Sequence, residues 1–119
     1  MLEIIKRYLE AWNETDAAAR LALVASLWAA DGSYTDPLAD VRGAEAIASL
    51  MGAAQQQFAG LVFTLGGPAD CHHNQARFTW HLGPAGGEPI VIGFDVVVLS
   101  SDERIASVHG FLDKVPAAA

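Results

Sequence analysis

The 119-residue sequence predicts an α+β fold in which a strongly curved, mixed or antiparallel sheet wraps around three helices and encloses a pocket. Three observations lead to this fold class. Apolar residues recur at helical spacing in the first half of the chain, whereas the second half contains β-rich segments separated by turns. Glycines also lie in and between the predicted strands, where they allow a sheet to bend, at positions 66, 67, 83, 86, 87, 93 and 110. The length suits one domain over residues 1–119.

The first two helices are predicted near the start of the chain. The apolar stripe of the first consists of Leu2, Ile5, Leu9 and Trp12, with Tyr8 beside it. Thr15 is a plausible N-cap for the second helix, and Asp16 suits its first turn. Gly32 occupies the position where helices often end, so the second helix is expected to stop at Asp31–Gly32.

The third helix is predicted from Ala44 to about Phe58, after two short extended pieces. Pro37 disfavours the helical region for the residue before it, which makes residues 33–37 extended. Residues 40–43 read as a short strand or a turn. The later strands are predicted at 60–65, 69–73, 76–82, 89–99 and 104–115, and the tail 116–119 is expected to fray.

The lengths of the two long turns predict which residues pair across the sheet. Symmetric turns would pair Phe78 with Asp95, Trp80 with Gly93, Asp95 with Val108 and Gly93 with Gly110. One face then carries Phe78, Trp80, Leu82, Gly93, Asp95, Val97, Val108, Gly110 and Leu112. The other carries Thr79, His81, Ile92, Phe94, Val96, Val98, Ile105, His109 and Phe111.

Both of these faces are largely apolar, yet the helices can cover only one. Large apolar surfaces are rarely left in water, so we expect a homodimer through the outer face. Its contact residues would be Ile92, Phe94, Val96, His109 and Phe111. The alternative is that the helices or the tail wrap both sides of the sheet.

Composition and charge narrow the classes of function. The chain has 14 acidic and 7 basic residues, for a net charge of −7, which disfavours nucleic acid and anionic membranes as partners. The start of the sequence does not resemble a signal peptide, and Cys71 is the only cysteine, so we expect a cytoplasmic protein. The Cys71–His72–His73 run is far from a zinc signature, and no cofactor motif is present, so neither a metal nor a cofactor is predicted.

Asp95 is the most unusual residue of the sequence, because it lies within the apolar segment 90–99. A carboxylate there is costly unless it is paired, hydrogen-bonded or protonated. One interpretation is a structural hydrogen bond or an edge position that reaches water. The other is an acid whose pKa is raised by an apolar cavity.

Four segments resemble the SnoaL-like polyketide cyclases and the ketosteroid isomerases of the nuclear transport factor 2 fold. They are Lys6–Leu9, Trp28–Pro37, the hairpin Phe78–Asp95, and Arg104–Ile105 with Gly110–Asp113. The resemblance implies a cone-shaped fold and carries three roles over to this chain. Asp36 would be the general base, while Tyr8 and Asp95 would donate hydrogen bonds to an oxyanion. The candidate substrate-lining residues are Tyr34, Trp28, Met51, Phe78, Trp80, Val97, Val108 and Leu112.

The expected function is therefore a cofactor-free enzyme, of isomerase or cyclase type, that transfers protons on a small apolar substrate. Each residue also has a structural interpretation: Asp36 before a proline is a common turn device, and Tyr8 suits a helix core. His81 and His109 are further candidates, although the predicted register puts both on the outer face. Epoxide hydrolysis ranks lower because Arg77 is the only sheet arginine before the last turn. The alternatives from other classes are a non-catalytic binder of small apolar molecules and a dimeric protein-interaction module.

Overall fold

A computed structural model describes residues 1–116 as three helices and a seven-stranded sheet. The helices are α1 (Leu2–Asn13), α2 (Ala17–Leu27) and α3 (Ala44–Gln57). The strands are β1 (Trp28–Asp36), β2 (Ala39–Arg42), β3 (Val62–Leu65), β4 (Asp70–His72), β5 (Gln75–Gly83), β6 (Val91–Leu99) and β7 (Ile105–Lys114). The α+β prediction is confirmed. The predicted frayed tail lies, apart from Pro116, outside the described residues.

The sheet is mixed and open, in the order β2-β1-β7-β6-β5-β3, with β4 paired to β5. Every neighbouring pair is antiparallel except β1 and β7, which run parallel. The parallel pair joins the first half of the chain to the last strand, placing β1 between its own hairpin partner and β7. The helices cover one face, and the core lies between them and that face.

The start and end of α2 differ from the sequence prediction. Asp16, not Thr15, is the N-cap, since its side chain accepts a hydrogen bond from the Ala19 N–H. The helix ends at Leu27, and Trp28 already pairs with Ile105 of β7. Gly32 therefore does not end the helix. It lies against the indole of Trp28, where an added Cβ would be 2.6 Å from Cδ1.

The pairing of β5 with β6 agrees with the prediction, with Phe78 opposite Asp95 and Trp80 opposite Gly93. The pairing of β6 with β7 does not: Asp95 lies opposite Gly110 rather than Val108, and Gly93 lies opposite Leu112 rather than Gly110.

Two extra residues cause this shift. The turn after β6 is closed by a bond from Ser100 N–H to Arg104 O and has Glu103 at a φ of 62°, so it is one residue longer than assumed. A bulge between the pairs Leu99–Ile105 and Val98–Ser107 adds the second residue. A shift of two residues preserves the face assignments beyond the bulge. Ile105, which precedes the bulge, moves to the buried face and is fully enclosed.

Candidate active site

Asp95 lies in the middle of β6, on the face that the helices cover, and is only 2% exposed. Its two carboxylate oxygens have different donors. The Tyr8 hydroxyl of α1 donates to Oδ2 at 2.6 Å, and the Trp80 indole N–H of β5 donates to Oδ1 at 3.1 Å. Burial raises the pKa of Asp95 from 3.8 to about 6, despite these two donors, which lower it; the charge of Asp36 adds to the rise. Asp95 is thus a carboxyl group that changes protonation state near pH 6.

Two glycines make room for this arrangement. A Cβ on Gly93 would lie 2.4 Å from Cζ2 of Trp80, so the indole can cross β6 only where no side chain stands. A Cβ on Gly110, opposite Asp95 on β7, would lie 2.8 Å from Oδ1 of Asp95 and 3.2 Å from Cβ of Asp36. The absence of that Cβ lets the two aspartates approach the same point.

Asp36 ends β1 and is held by three hydrogen bonds. Its Oδ1 accepts the backbone N–H groups of Leu38 and Ala39 at 2.8 and 2.9 Å, which is the turn arrangement typical of an aspartate before proline. Its Oδ2 accepts the hydroxyl of Tyr34 at 2.7 Å. The turn and catalytic interpretations of Asp36 are therefore compatible, because Oδ1 stabilises the turn whereas Oδ2 is bonded only to the Tyr34 hydroxyl.

Tyr8 and Tyr34 are both almost fully buried, at 1% and 3% exposure. Burial, together with the charge of Asp95, raises the pKa of each phenol well above its usual value. Both hydroxyls therefore keep their protons at physiological pH and act as hydrogen-bond donors.

These four residues border a cavity of about 370 Å³. Its other walls are mainly apolar and aromatic, and come from α1, α3, β3, β5, β6 and the end of β7. They include Leu9, Trp12, Leu50, Phe58, Phe63, Trp80, Leu82, Val91 and Leu112. Leu38 and Val115, which also border the cavity, are 83% and 57% exposed and so mark its mouth. A polar end with two carboxyl groups and an apolar remainder would suit a compact ligand with one oxygen-bearing end.

The sequence model of the family described as SnoaL-like domain matches residues 5–108. The chain belongs to this family. A solved structure of a candidate isomerase of the SnoaL-like family from Agrobacterium tumefaciens is 44% identical and has a TM-score of 0.89. That match covers 94% of this chain and 96% of the other.

More distant structures share the fold of this SnoaL-like protein. A SnoaL-like protein of unknown function from Burkholderia thailandensis is 14% identical, with a TM-score of 0.72, covering 93% of this chain and 92% of its own. A candidate polyketide cyclase from Sinorhizobium meliloti is 20% identical, with a TM-score of 0.71, covering 91% and 93%. No functionally curated protein matches the chain. The family resemblance inferred from the sequence is confirmed.

The structure brings together the three residues to which the SnoaL-like resemblance assigned roles, Tyr8, Asp36 and Asp95. Tyr34, Trp80 and Leu112 border the same cavity. Five other predicted lining residues do not: Trp28, Met51, Phe78, Val97 and Val108. Their side chains are at most 2% exposed and fill the core between helices and sheet, because residues in the centre of that face contact the helices directly.

His81 and His109 are not among the residues that border the cavity. His81 packs over Gly66, where an added Cβ would lie 2.7 Å from Nε2, and His109 is exposed beside Ser107. Within residues 1–116, no three His, Cys, Asp or Glu side chains are grouped so that they could hold a metal ion. No helix in the same range is long and apolar enough to cross a bilayer.

Sequence reasoning missed the hydrogen bond from Trp80 to Asp95 and the place of Trp12 in the cavity wall. Trp80 was predicted as a lining residue but not as a hydrogen-bond donor, and Trp12 was assigned only to the apolar stripe of the first helix. The register already placed Trp80 and Asp95 on one face in diagonally neighbouring positions, two residues apart along the strands. An indole donor at that position is within reach of the carboxylate. Trp12 follows Tyr8 by four residues, so the two lie on one side of α1.

Proposed function

We propose that this protein is an enzyme that moves a proton at a carbon next to a carbonyl group of a small, largely apolar compound, as an isomerase or cyclase does. The observation that carries the proposal is the largely apolar cavity with Asp95 and its two donors beside Asp36. The 44% identical structure described as a candidate isomerase is consistent with it. Tyr8, Asp36 and Asp95 carry out the proposed proton transfer, which requires no cofactor.

In the proposed reaction, Asp36 removes the proton from the carbon. The electron pair of the C–H bond then forms an enolate whose negative charge rests on the carbonyl oxygen. A neutral Asp95 donates its O–H to that oxygen, and the Tyr8 hydroxyl, which donates to Oδ2 of Asp95 in the structure, turns to the same oxygen as a second donor. Asp36 then returns the proton to a different carbon, which gives isomerisation. Alternatively, the enolate carbon attacks a second carbonyl carbon of the same molecule. The π electrons of that carbonyl then move to its oxygen, which takes the proton from Asp36 as the ring closes.

The environment of Asp95 suits the role of a neutral donor. Burial disfavours its charged form, and a ligand that expels water from the cavity would extend this effect. Asp36 is half-buried near the mouth and makes hydrogen bonds only as an acceptor. The two carboxyl groups therefore differ in environment, as a base and an acid working together must.

The first test uses 3-cyclohexen-1-one, a small β,γ-unsaturated ketone whose isomerisation to the conjugated ketone is followed by ultraviolet absorbance. We expect Asp36→Asn to lower kcat by about 10²- to 10⁴-fold, the usual contribution of a general base. The matched control is Asp40→Asn. Asp40 is an exposed aspartate on β2 that accepts only the Thr35 hydroxyl, and we expect no change there. Equal rates for Asp36→Asn and the unmodified protein would contradict the proposal.

The second test separates binding from catalysis with 2-naphthol, whose phenolic oxygen resembles an enolate oxygen. We expect Tyr8→Phe to weaken naphthol binding, because one donor is lost, and Asp36→Asn to retain it. Asp36→Asn should thus bind the naphthol and fail to isomerise the ketone. Naphthol binding that is indifferent to Tyr8→Phe would remove the oxyanion role.

A second candidate function is non-catalytic binding of a small apolar molecule. It is favoured by one observation: both oxygens of Asp95 already have protein donors, so the carboxyl group is satisfied without a ligand. In that case 2-naphthol would bind, and neither Asp36→Asn nor Asp95→Asn would change the rate of ketone isomerisation.

We also propose that the outer sheet face pairs with a second copy of the chain. Phe94 and Phe111 stack on this face with ring centroids 5.0 Å apart, and Phe111 is 52% exposed. Ile92 and Val96 lie half-buried beside them, and His109 is exposed. An aromatic stack in contact with water is stabilised when a partner covers it.

A further inference from the structure

Arg20 is a buried cation near the start of α2, and it does not border the first cavity. The residue is only 8% exposed, and its guanidinium donates to backbone carbonyls of the connection between α1 and α2. Nε donates to the Glu14 carbonyl oxygen at 3.0 Å. Nη2 donates to the Thr15 carbonyl at 3.4 Å and to Oε1 of Gln55 at 3.0 Å. All three acceptors are neutral, so they orient the cation without cancelling its charge.

No carboxylate of the residues that the structure describes pairs with Arg20. Across residues 1–116 the ion pair found joins Arg77 to Asp70 on the exposed side of the sheet. Buried charges in proteins are generally paired with an opposite charge, because an unpaired charge in a low-dielectric interior is costly. The carbonyl groups at the end of α1 offset the charge of Arg20 only in part.

The remaining nitrogen of the guanidinium, Nη1, has no acceptor among the described residues. Every fully enclosed side-chain nitrogen or oxygen in that part of the chain has a hydrogen-bond partner, so Nη1 must be reachable from outside the protein. It lies over Gly52 of α3, where an added Cβ would be 2.7 Å away. Arg20 and Gly52 both border a second cavity of about 420 Å³. The N–H groups of Nη1 are therefore not engaged by any of the described residues.

The walls of this second cavity combine the cation with an apolar surface. Phe58, Leu61 and Phe63 form part of that surface. Ala17, the first residue of α2, also borders it, and the first N–H groups of a helix favour negative charge. Two acidic side chains lie close in sequence, but both are engaged with backbone N–H groups. Glu14 accepts that of Asp16 at 3.3 Å, and Asp16 accepts that of Ala19 at 2.8 Å.

We propose that this second cavity binds the carboxylate group of a small apolar acid, with Nη1 of Arg20 as its ionic partner. Nη1 can donate a charge-assisted hydrogen bond to a carboxylate oxygen, and the aromatic walls would hold an apolar body. Gln55 acts as a positioning residue, because its Nε2 donates to the carbonyls of Trp12 and Glu14 while Oε1 holds Nη2. The site does not depend on the proton-transfer reaction proposed for the first cavity.

The test compares benzoate with benzamide, its neutral counterpart of nearly the same shape, in titrations of the full chain followed by NMR. We expect benzoate to bind with a dissociation constant on the order of 1 mM and at least about tenfold more tightly than benzamide. It should shift the Arg20 Nε–H resonance and the backbone amides of Ala17 and Gly52. Equal affinity for the two compounds, or shifts confined to Tyr34 and the Trp80 indole in the first cavity, would overturn the proposal.

Two substitutions test whether the preference for benzoate depends on Arg20. Arg20→Gln should abolish the preference for benzoate. Arg77→Gln, which removes the same charge from an exposed ion pair, should leave that preference unchanged. Arg20 also holds the α1–α2 connection, so Arg20→Gln could fail to fold. The titration of the unmodified protein then decides alone, since it needs no variant. Loss of benzoate preference in Arg77→Gln as well would show a general charge effect and refute the site.

Discussion

Replacing Trp80 by phenylalanine tests how the protein sets the protonation of Asp95. The change keeps an aromatic ring of smaller size beside Gly93 and removes the N–H that donates to Oδ1 at 3.1 Å. That donor favours the charged carboxylate and lowers the pKa of Asp95, whereas burial raises it to about 6. Removing the donor should therefore raise the pKa.

The size of the shift follows from the hydrogen bond. A hydrogen bond to a charged group contributes about 1.5–3 kcal/mol, and one pKa unit corresponds to about 1.4 kcal/mol. We expect the pKa of Asp95 to rise by about one to two units in Trp80→Phe. The measurement is a pH titration of aspartate carboxyl carbons by NMR, with the Asp95 signal assigned through its loss in Asp95→Asn.

The competing effect is hydration. A smaller ring leaves space beside Asp95, and water in that space would lower its pKa. Phe63→Leu is the matched control, because Phe63 packs on Trp80 with centroids 5.6 Å apart and borders the same cavity without offering a donor. We expect little change in that variant. A pKa in Trp80→Phe that is unchanged or lower would refute the reasoning.

The same substitution bears on the proposed chemistry. Since Asp95 must be protonated to donate to the oxyanion, kcat/KM for 3-cyclohexen-1-one should fall as pH rises through about 6. In Trp80→Phe the falling limb should move to higher pH by the same one to two units. A rising limb at this pH would instead make Asp95 the base.

Three further predictions follow from the geometry. Because the pKa of Asp95 is higher in the folded chain than unfolded, the folded state holds the extra proton between pH 4 and 6. The free energy of unfolding, measured by chemical denaturation, should therefore fall by about 3 kcal/mol as the pH rises from 4 to 6. It should fall less in Asp95→Asn. Gly110→Ala would put a methyl group 2.8 Å from Oδ1 of Asp95 and 3.2 Å from Cβ of Asp36. This variant should bind 2-naphthol at least about tenfold more weakly in a fluorescence titration. Undiminished binding would show that the two carboxyl groups do not share a ligand. Phe111→Glu should convert a dimer to a monomer in sedimentation experiments, and a monomeric unmodified protein would refute the pairing of the outer faces.

Local sequence signals predicted much of the fold because they depend on neighbouring residues. Helices α1 and α3 were predicted from the spacing of their apolar residues. The predicted ends of α3 agree with the structure within one residue, and the predicted stripe from Leu2 to Trp12 lies inside α1. The end of α2 was wrong, because Trp28 pairs with Ile105 across 77 residues of chain and no local signal reports that pairing. The register of β6 with β7 was also wrong, since a bulge and an added turn residue are decided by packing.

The sequence by itself determined the α+β class, the family, and the burial of Asp95 in an apolar strand, because periodicity and residue type are written along the chain. Only the tertiary structure decided which groups meet. It showed the Trp80 N–H on Asp95, the approach of Asp36 across Gly110, and the cation of Arg20 facing a second cavity. The physical reason is that a hydrogen bond or an unpaired charge depends on positions fixed to within an ångström. Contacts between residues far apart in sequence fix those positions, and the order of residues does not display them.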